Sequence, residues 1–519
     1  MVDPDSRRLP FLPVGQILMI SMVLTAVSLV VAATNPDRDA RSELAVWLDV
    51  LGENTLPSWW STALLLAVAL AFAVAGAAAR AGAVVGAGAW FTGAGIVGVF
   101  SLAELSGVHR RLGGVGRLVL GEGVLARNWF TMAAVVVPVL VAVLVALAAR
   151  VGAPSSRLLV GGGVLLLVSV VGGELVAALL GGRTGPALAP VLVAHLGELG
   201  ENVGAALMLA AALRVLTPSR DGDVLQVRHR ASAPWSDATP MSLTAVWWWL
   251  GGVSVALSLL SLGFVLAAPA HPVLREVRLY LDLLVEHNLP TWWSVALLAT
   301  AALAHLAAFV AARNAGAPGA AYWLVTAAVL AVLSLDDQSQ LHERSEQLGR
   351  LMVTETGDFP FYWLIPGSLA GLGVAAAIVM LAVRVHRRAR ALLIGGIVLL
   401  LATGLGLEVV QGMFMAAGNE GIGFVVGYHV EELGEDVGVL LLIGAAVAMT
   451  RISRNDGLVL SYIGAPAHPS PPDRHLVRTS AGPGSYDPLV ARAECRDAAP
   501  RPPGDGTVRR AGADRVEQR

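Results

Sequence analysis

Histidine and carboxylate side chains recur in this chain inside runs that are otherwise apolar. The stretch His429-Val-Glu-Glu-Leu-Gly-Glu-Asp-Val-Gly438 places one His and four acids in a run that continues to Met449. A charge at membrane depth costs roughly 2.5–3.5 kcal/mol by insertion scales, so it calls for a partner or a purpose. On a helix, His429, Glu432 and Asp436 share one face, with Glu431 and Glu435 together on another. His and Glu three residues apart form a workable pair of metal ligands, as in di-iron helical bundles. His342, Asp337 and Glu408, from two neighbouring runs, would complete a His/carboxylate set suited to Zn²⁺, Fe²⁺ or Mn²⁺, with Glu435 close by. The adjacent acids Asp336 and Asp337 are candidate catalytic groups, Asp337 as a ligand or general base. Beside this stands a plainer reading, in which His and carboxylates hydrogen-bond to fix helix packing or line a wet vestibule.

The phrase has a copy, His195-Leu-Gly-Glu-Leu-Gly-Glu-Asn-Val-Gly204, 234 positions earlier. Upstream the offset is 233. Asp49, Glu53, Leu56-Pro57, Trp59-Trp60-Ser61, Ser101 and His109 return as Asp282, Glu286, Leu289-Pro290, Trp292-Trp293-Ser294, Ser334 and His342. Identities at a constant offset define a tandem repeat. The candidate ligands of the first copy are therefore Glu104, His109, Glu174, His195 and Glu198, with Glu201 beside them. The copies are unequal: Asp336 is matched by Ala103, Glu343 by Arg110, Glu431 by Gly197 and Asp436 by Asn202. The second repeat is the more complete.

The elements that must hold these residues are membrane helices. The 519 residues are 55% hydrophobic and 14% charged, with a mean hydropathy of +0.68. Ordinary globular chains carry about 25% charged residues. Twelve apolar runs, near 14–33, 59–79, 83–104, 130–149, 158–180 and 188–214, then 244–268, 291–312, 320–337, 361–385, 391–413 and 424–449, each suffice for a helix across ~30 Å of hydrocarbon. The expected fold is an all-α polytopic membrane bundle of two parallel six-helix repeats, 1–216 and 242–452. A cytoplasmic linker, 217–241, joins them, and a Pro- and Arg-rich tail, 453–519, reads as disordered. The Leu-Pro-[Ser/Thr]-Trp-Trp-Ser element reads as a helix start. Ser or Thr beside the Pro would cap it, and its Trp pair would sit in the interfacial belt. Ser101 and Ser334 read as hydroxyls bonded back to their own helices.

All 36 basic residues counted are Arg, which excludes a Schiff-base or P-loop lysine. The single Cys495 excludes an intrachain disulfide and a thiolate cluster. No broad basic surface points to nucleic acid; the expected partner is the lipid bilayer. Arginines at 384–390, after spans six and twelve, and at the N-terminus place both termini in the cytoplasm, although Arg110, Arg111, Arg117 and Arg127 run against that rule. In this topology the unusual polar residues of both repeats fall near the outer face.

Asn288-Leu-Pro-Thr-Trp-Trp-Ser294, Ser334-Leu-Asp-Asp337 with His342-Glu343, and Glu431-Glu432 resemble motifs of a group of bacterial polytopic membrane proteins of unknown function. Asp337 departs from the Glu of that pattern. The resemblance implies a bacterial inner-membrane location and carries no activity. The leading functional expectation is divalent-metal binding in each repeat and a metal-dependent membrane enzyme. The alternatives are a proton- or cation-coupled transporter and a non-catalytic scaffold of paired buried charges.

Overall fold

In the computed structural model, residues 14–34, 42–108, 130–180, 188–232, 239–240, 242–353, 361–419, 421–454 and 457–463 are described. The first repeat runs α1 (Val14–Thr34), α2 (Glu43–Trp47), α3 (Leu56–Ala81), α4 (Ala87–Ser106), α5 (Phe130–Ala148), α6 (Ala153–Leu180) and α7 (Leu188–Val215). Strands β1 (Leu216–Asp221), β2 (Val224–His229) and β3 (Thr239–Pro240) follow. The second repeat opens with α8 (Thr244–Ala267), α9 (Pro272–Leu281), α10 (Leu289–Asn314) and α11 (Ala320–Ser339), then the short α12 (Leu341–Arg344) and α13 (Glu346–Met352). It continues with α14 (Leu364–Ala382) and α15 (Arg387–Leu401), a π-helical turn (Ala402–Leu407), α16 (Glu408–Ala416) and α17 (Ile422–Ala448). Strands β4 (Thr450–Arg454) and β5 (Leu458–Tyr462) end the described chain.

Ten of these helical segments are long and apolar enough to cross a membrane. The 19-residue α5 and the acid-bearing α17 complete the expected twelve. α1 is polar on its inward side. The buried residues of α1 are Ser21, Thr25 and Ser28, whereas Met19, Met22 and Val23 are exposed. Lipid solvates an apolar side chain as well as another helix does, so packing and hydrogen bonds between helices drive association. Small residues set the closest crossing in each repeat. A Cβ on Gly162 would lie 2.7 Å from the Gly204 carbonyl oxygen, and one on Gly396 would lie 2.9 Å from that of Gly438.

The repeats meet through reciprocal bonds. Trp59 Nε1 of the first donates to Ser334 Oγ of the second at 3.3 Å, and Trp292 Nε1 of the second donates to Ser101 Oγ of the first at 3.2 Å. Such an exchange is the signature of a two-fold relation between like units. Each serine in turn donates to a carbonyl on a neighbouring helix, Ser101 to Thr62 and Ser334 to Val295, both at 3.0 Å. This corrects the expectation that they bond back to their own helices. Trp60 and Trp293 likewise donate inward, to Ser21 and Ser254, each at 2.8 Å. Among the described residues, the exposed tryptophans are Trp248 and Trp249, at the start of α8. The helix starts are capped two residues before the Pro: Thr55 Oγ1 accepts from Ser58 N, and Asn288 Oδ1 accepts from Thr291 N.

The expected linker and the start of the expected tail fold together. They form one antiparallel sheet in the order β1-β2-β5-β4-β3. Leu225, Gln226 and Val227 of β2 pair with Leu460, Val459 and Leu458 of β5, which joins the segments that follow the two repeats. Val227 and Leu458 pack on the first repeat's core, and Tyr462 packs on the second's. The alternation in Val-Leu-Gln-Val-Arg-His and Leu-Val-Leu-Ser-Tyr is too short to stand out beside twelve long apolar runs. His386 Nε2 meets the Ala448 carbonyl at 3.1 Å, which sets the arginine-rich turn 384–390 at the sheet end of the bundle.

Candidate functional site

The two signature histidines serve as posts between helices. His429 Nε2 lies 3.0 Å from Ser261 Oγ of α8, and its Nδ1 lies 2.8 Å from the Val425 carbonyl oxygen. His195 repeats this with Ser28 Oγ at 3.0 Å and Val191 O at 2.7 Å. The same serines accept a backbone N–H each, from Leu283 at 3.1 Å and Val50 at 2.8 Å. Both nitrogens of each ring are occupied, so neither His429 nor His195 offers a lone pair to a metal. That departs from the expected ligand set. The first span of each repeat is thereby tied to its last span and to the loop before its second.

The acids of the second repeat do converge. Glu408, directly after the π-helical turn, lies within interaction reach of Glu431, which accepts from Gln411 Nε2. Glu432 lies within electrostatic reach of Glu435, Glu286, Asp436 and Glu408, and Glu435 within reach of Asp337 and Asp336. Glu435 turns toward Gly404, where any Cβ would collide with its carboxylate. A π-helical turn at such a place often marks a functional site. The corresponding residues of the first repeat, 168–173, are α-helical, with Val170 in the place of Gly404.

Asp336 and Asp337 part ways. Asp336 accepts the His342 backbone N–H at 2.8 Å, and its other oxygen lies 3.1 Å from His342 Nδ1. It fixes the chain after α11 and orients the His ring, which sits 4.5 Å from the Trp363 ring. Asp337 Oδ2 is buried and has no hydrogen-bond partner among the described residues. At the rim, burial would depress the His342 pKa, but the Asp336 hydrogen bond and the charges of Asp336, Glu343 and Asp337 outweigh it and hold the ring at about 9. Glu286, also on the rim, is raised to about 7 by restricted hydration and by Glu343, against the pull of His342.

α17 has 27 residues, and Asp436 is its fifteenth. At ~1.5 Å per residue it lies about 21 Å from the helix start, near the middle of the span. The acids of α17 therefore extend from its first turns to the middle of the helix. There Ser254, Leu257 and Ser258 of α8, Leu283, Pro290, Trp293 and Ser294, and Glu432 and Asp436 of α17 line a small recess of about 10 Å³, room for one water-sized occupant. Reading for His and acids alone passes over these serines, although Ser254, Ser258 and Ser261 fall on one face of an apolar helix and repeat Ser21, Thr25 and Ser28. That stripe is the signal the sequence offers for them.

In the first repeat, Glu104 lies on α4, and Glu198 and Glu201 lie on α7 with His195. His109 and the Glu174 side chain lie outside the described residues. Among the described residues, no three His, Cys, Asp or Glu side chains are grouped so as to hold a metal ion.

Fold and site define a class: a duplicated polytopic α-helical membrane protein with carboxylates gathered in its second unit. The chain belongs to the family described as a domain of unknown function (DUF8692), whose model matches twice, over residues 17–216 and 247–450. No curated protein and no solved structure matches the chain.

Proposed function

We propose that this protein handles protons in a membrane, with the carboxyl cluster of its second repeat as the binding centre of a proton- or cation-coupled transporter. One observation carries the reading. The side chains of Glu408 and Glu431 face each other within a bundle of membrane-spanning helices, and two carboxyl groups so placed can hydrogen-bond only by sharing a proton. Intramembrane acids mark ion paths in this way. The depth of Asp436 and its neighbours supports it further, since transporter sites favour the bilayer midplane. By the arginine rule the acid rim faces outward and the sheet lies in the cytoplasm. The first repeat, whose Gly197 and Asn202 stand for Glu431 and Asp436, is the structural half.

The test uses purified protein at neutral pH and the infrared C=O stretch of protonated carboxyls. Glu431→Gln and Glu408→Gln each remove that band, and each abolishes dye-reported proton flux into liposomes carrying the protein. Flux that both variants leave intact sinks the proposal. Metal retained stoichiometrically by the wild type and lost from Glu432→Gln would put a divalent ion in the proton's place and restore the metal reading.

A further inference from the structure

We infer that the recess between α8, α10 and α17 is a sodium-ion site, bounded by Ser254, Ser258, Ser294, Glu432 and Asp436. The inference rests on the reading of the second repeat as the ion-handling half, and names a second ion beside the proton.

The chemistry of the lining is one-sided. Its polar groups are three hydroxyls and two carboxylates, and no basic side chain among the described residues lines it. Ser294 Oγ donates to Asp436 at 3.3 Å. A hydroxyl whose proton is committed to a carboxylate presents lone pairs elsewhere. The recess thus offers oxygen acceptors, which suit a hard cation and repel an anion.

A second observation is independent of the acids. Ser258 is only 8% exposed, and its hydroxyl has no hydrogen-bond partner among the described residues. Its counterpart Thr25 instead bonds back to the Ser21 carbonyl at 2.9 Å. The residue is buried but its hydroxyl opens onto the recess, where its lone pairs are available to an occupant. In this recess a bound cation would engage that oxygen.

The first repeat supplies an internal comparison. Its equivalent positions are Ser21, Thr25, Ser61, Glu198 and Asn202. Asn202 Nδ2 donates to Ser61 Oγ at 3.0 Å. An N–H donor thus stands where the second repeat has a carboxylate, and one negative charge is gone. The same scaffold is closed to a cation in one half and open to it in the other. Size and ligand number select the ion. Calcium takes about 6–8 oxygen ligands and magnesium keeps several waters in a strict octahedron, whereas the oxygen-bearing side chains around this one small recess fit a dehydrated monovalent ion.

The experiment follows tryptophan fluorescence of the full-length protein in nanodiscs at constant ionic strength, since Trp293 lines the recess. Choline is replaced by Na⁺, K⁺, Ca²⁺ or Mg²⁺, and ²²Na⁺ binding is measured in parallel. Expected is a saturable response to Na⁺ that is lost in Asp436→Asn, the residue type the first repeat carries, and weakened at least tenfold in Ser258→Ala. No saturable Na⁺ response in the wild type, a response that both variants leave unchanged, or a response to Ca²⁺ or Mg²⁺ in preference to Na⁺ overturns the inference. The protonated-carboxyl infrared band is recorded on the same samples. A band that persists without Na⁺ binding removes the sodium site alone, and loss of the band removes the proton reading.

Discussion

Replacing Asp336 by asparagine tests how the rim of the acid cluster is held. The wild-type ring of His342 titrates at about 9 against an ordinary 6.5, raised by the Asp336 hydrogen bond and by the surrounding carboxylates against the opposing effect of burial. At about 1.4 kcal/mol per tenfold change, that difference is on the order of 3 kcal/mol before screening. The two side chains are 30% and 29% exposed, so water reduces the figure, to ~1–2 kcal/mol. The sign follows from linkage. A His whose pKa is higher in the folded state contributes its stability fully below about pH 6.5 and loses it as pH rises through about 9. The amide oxygen of the substituted side chain can still accept the His342 backbone N–H, so the loop keeps one of its two anchors. In detergent, Asp336→Asn is therefore expected to melt below the wild type at pH 6. The two should approach each other by pH 10, with His342→Gln behaving like Asp336→Asn. A melting difference that is the same at pH 6 and pH 10 would refute the charge argument and leave Asp336 as a loop cap only.

Other outcomes follow from the same geometry. Glu286→Gln should flatten the pH dependence of stability between about pH 5 and 7: this carboxyl is raised to about 7, so the folded state holds a proton that the unfolded chain has released, and stability falls as pH rises through that window. Gly396→Val and Gly162→Val should each destabilise by about 1–3 kcal/mol through overpacking, read as a lower melting midpoint. Ser261→Ala and His429→Leu should each destabilise by about 1–3 kcal/mol by stranding the other partner, and the double variant should cost less than their sum, which a double-mutant cycle checks. Trp59→Phe and Trp292→Phe should lower the melting point by similar amounts, since each removes one of two equivalent bonds between the repeats.

Much of the architecture is legible in the chain itself. Duplication is a one-dimensional property: a constant offset of 233 or 234 needs no coordinates, and neither does the number of runs long enough to cross a bilayer. The same reading isolates the unusual groups, because a carboxylate in an apolar run is costly wherever its helix ends up. It also marks the inequality of the repeats at Gly197 and Asn202. What these groups touch is a different matter. Periodicity tells which residues share a helix face, but a site forms where faces of several helices meet. That meeting depends on crossings such as Gly396 on Gly438, which no spacing within one helix reports.

Only the tertiary structure takes His195 and His429 out of the ligand set, by giving their rings to Ser28 and Ser261, 167 and 168 positions away. Only it gives Trp59 and Trp292 to serines of the partner repeat, and folds the linker into a sheet with strands more than two hundred residues later. It also joins Glu408 to Glu431, and brings Ser258 beside Glu432 and Asp436. In lipid the polar side chains of a helix have no water to satisfy them, so they bond back to their own backbone or find partners on other helices. The sequence by itself determines that such partners must exist; the packing of twelve helices decides which they are.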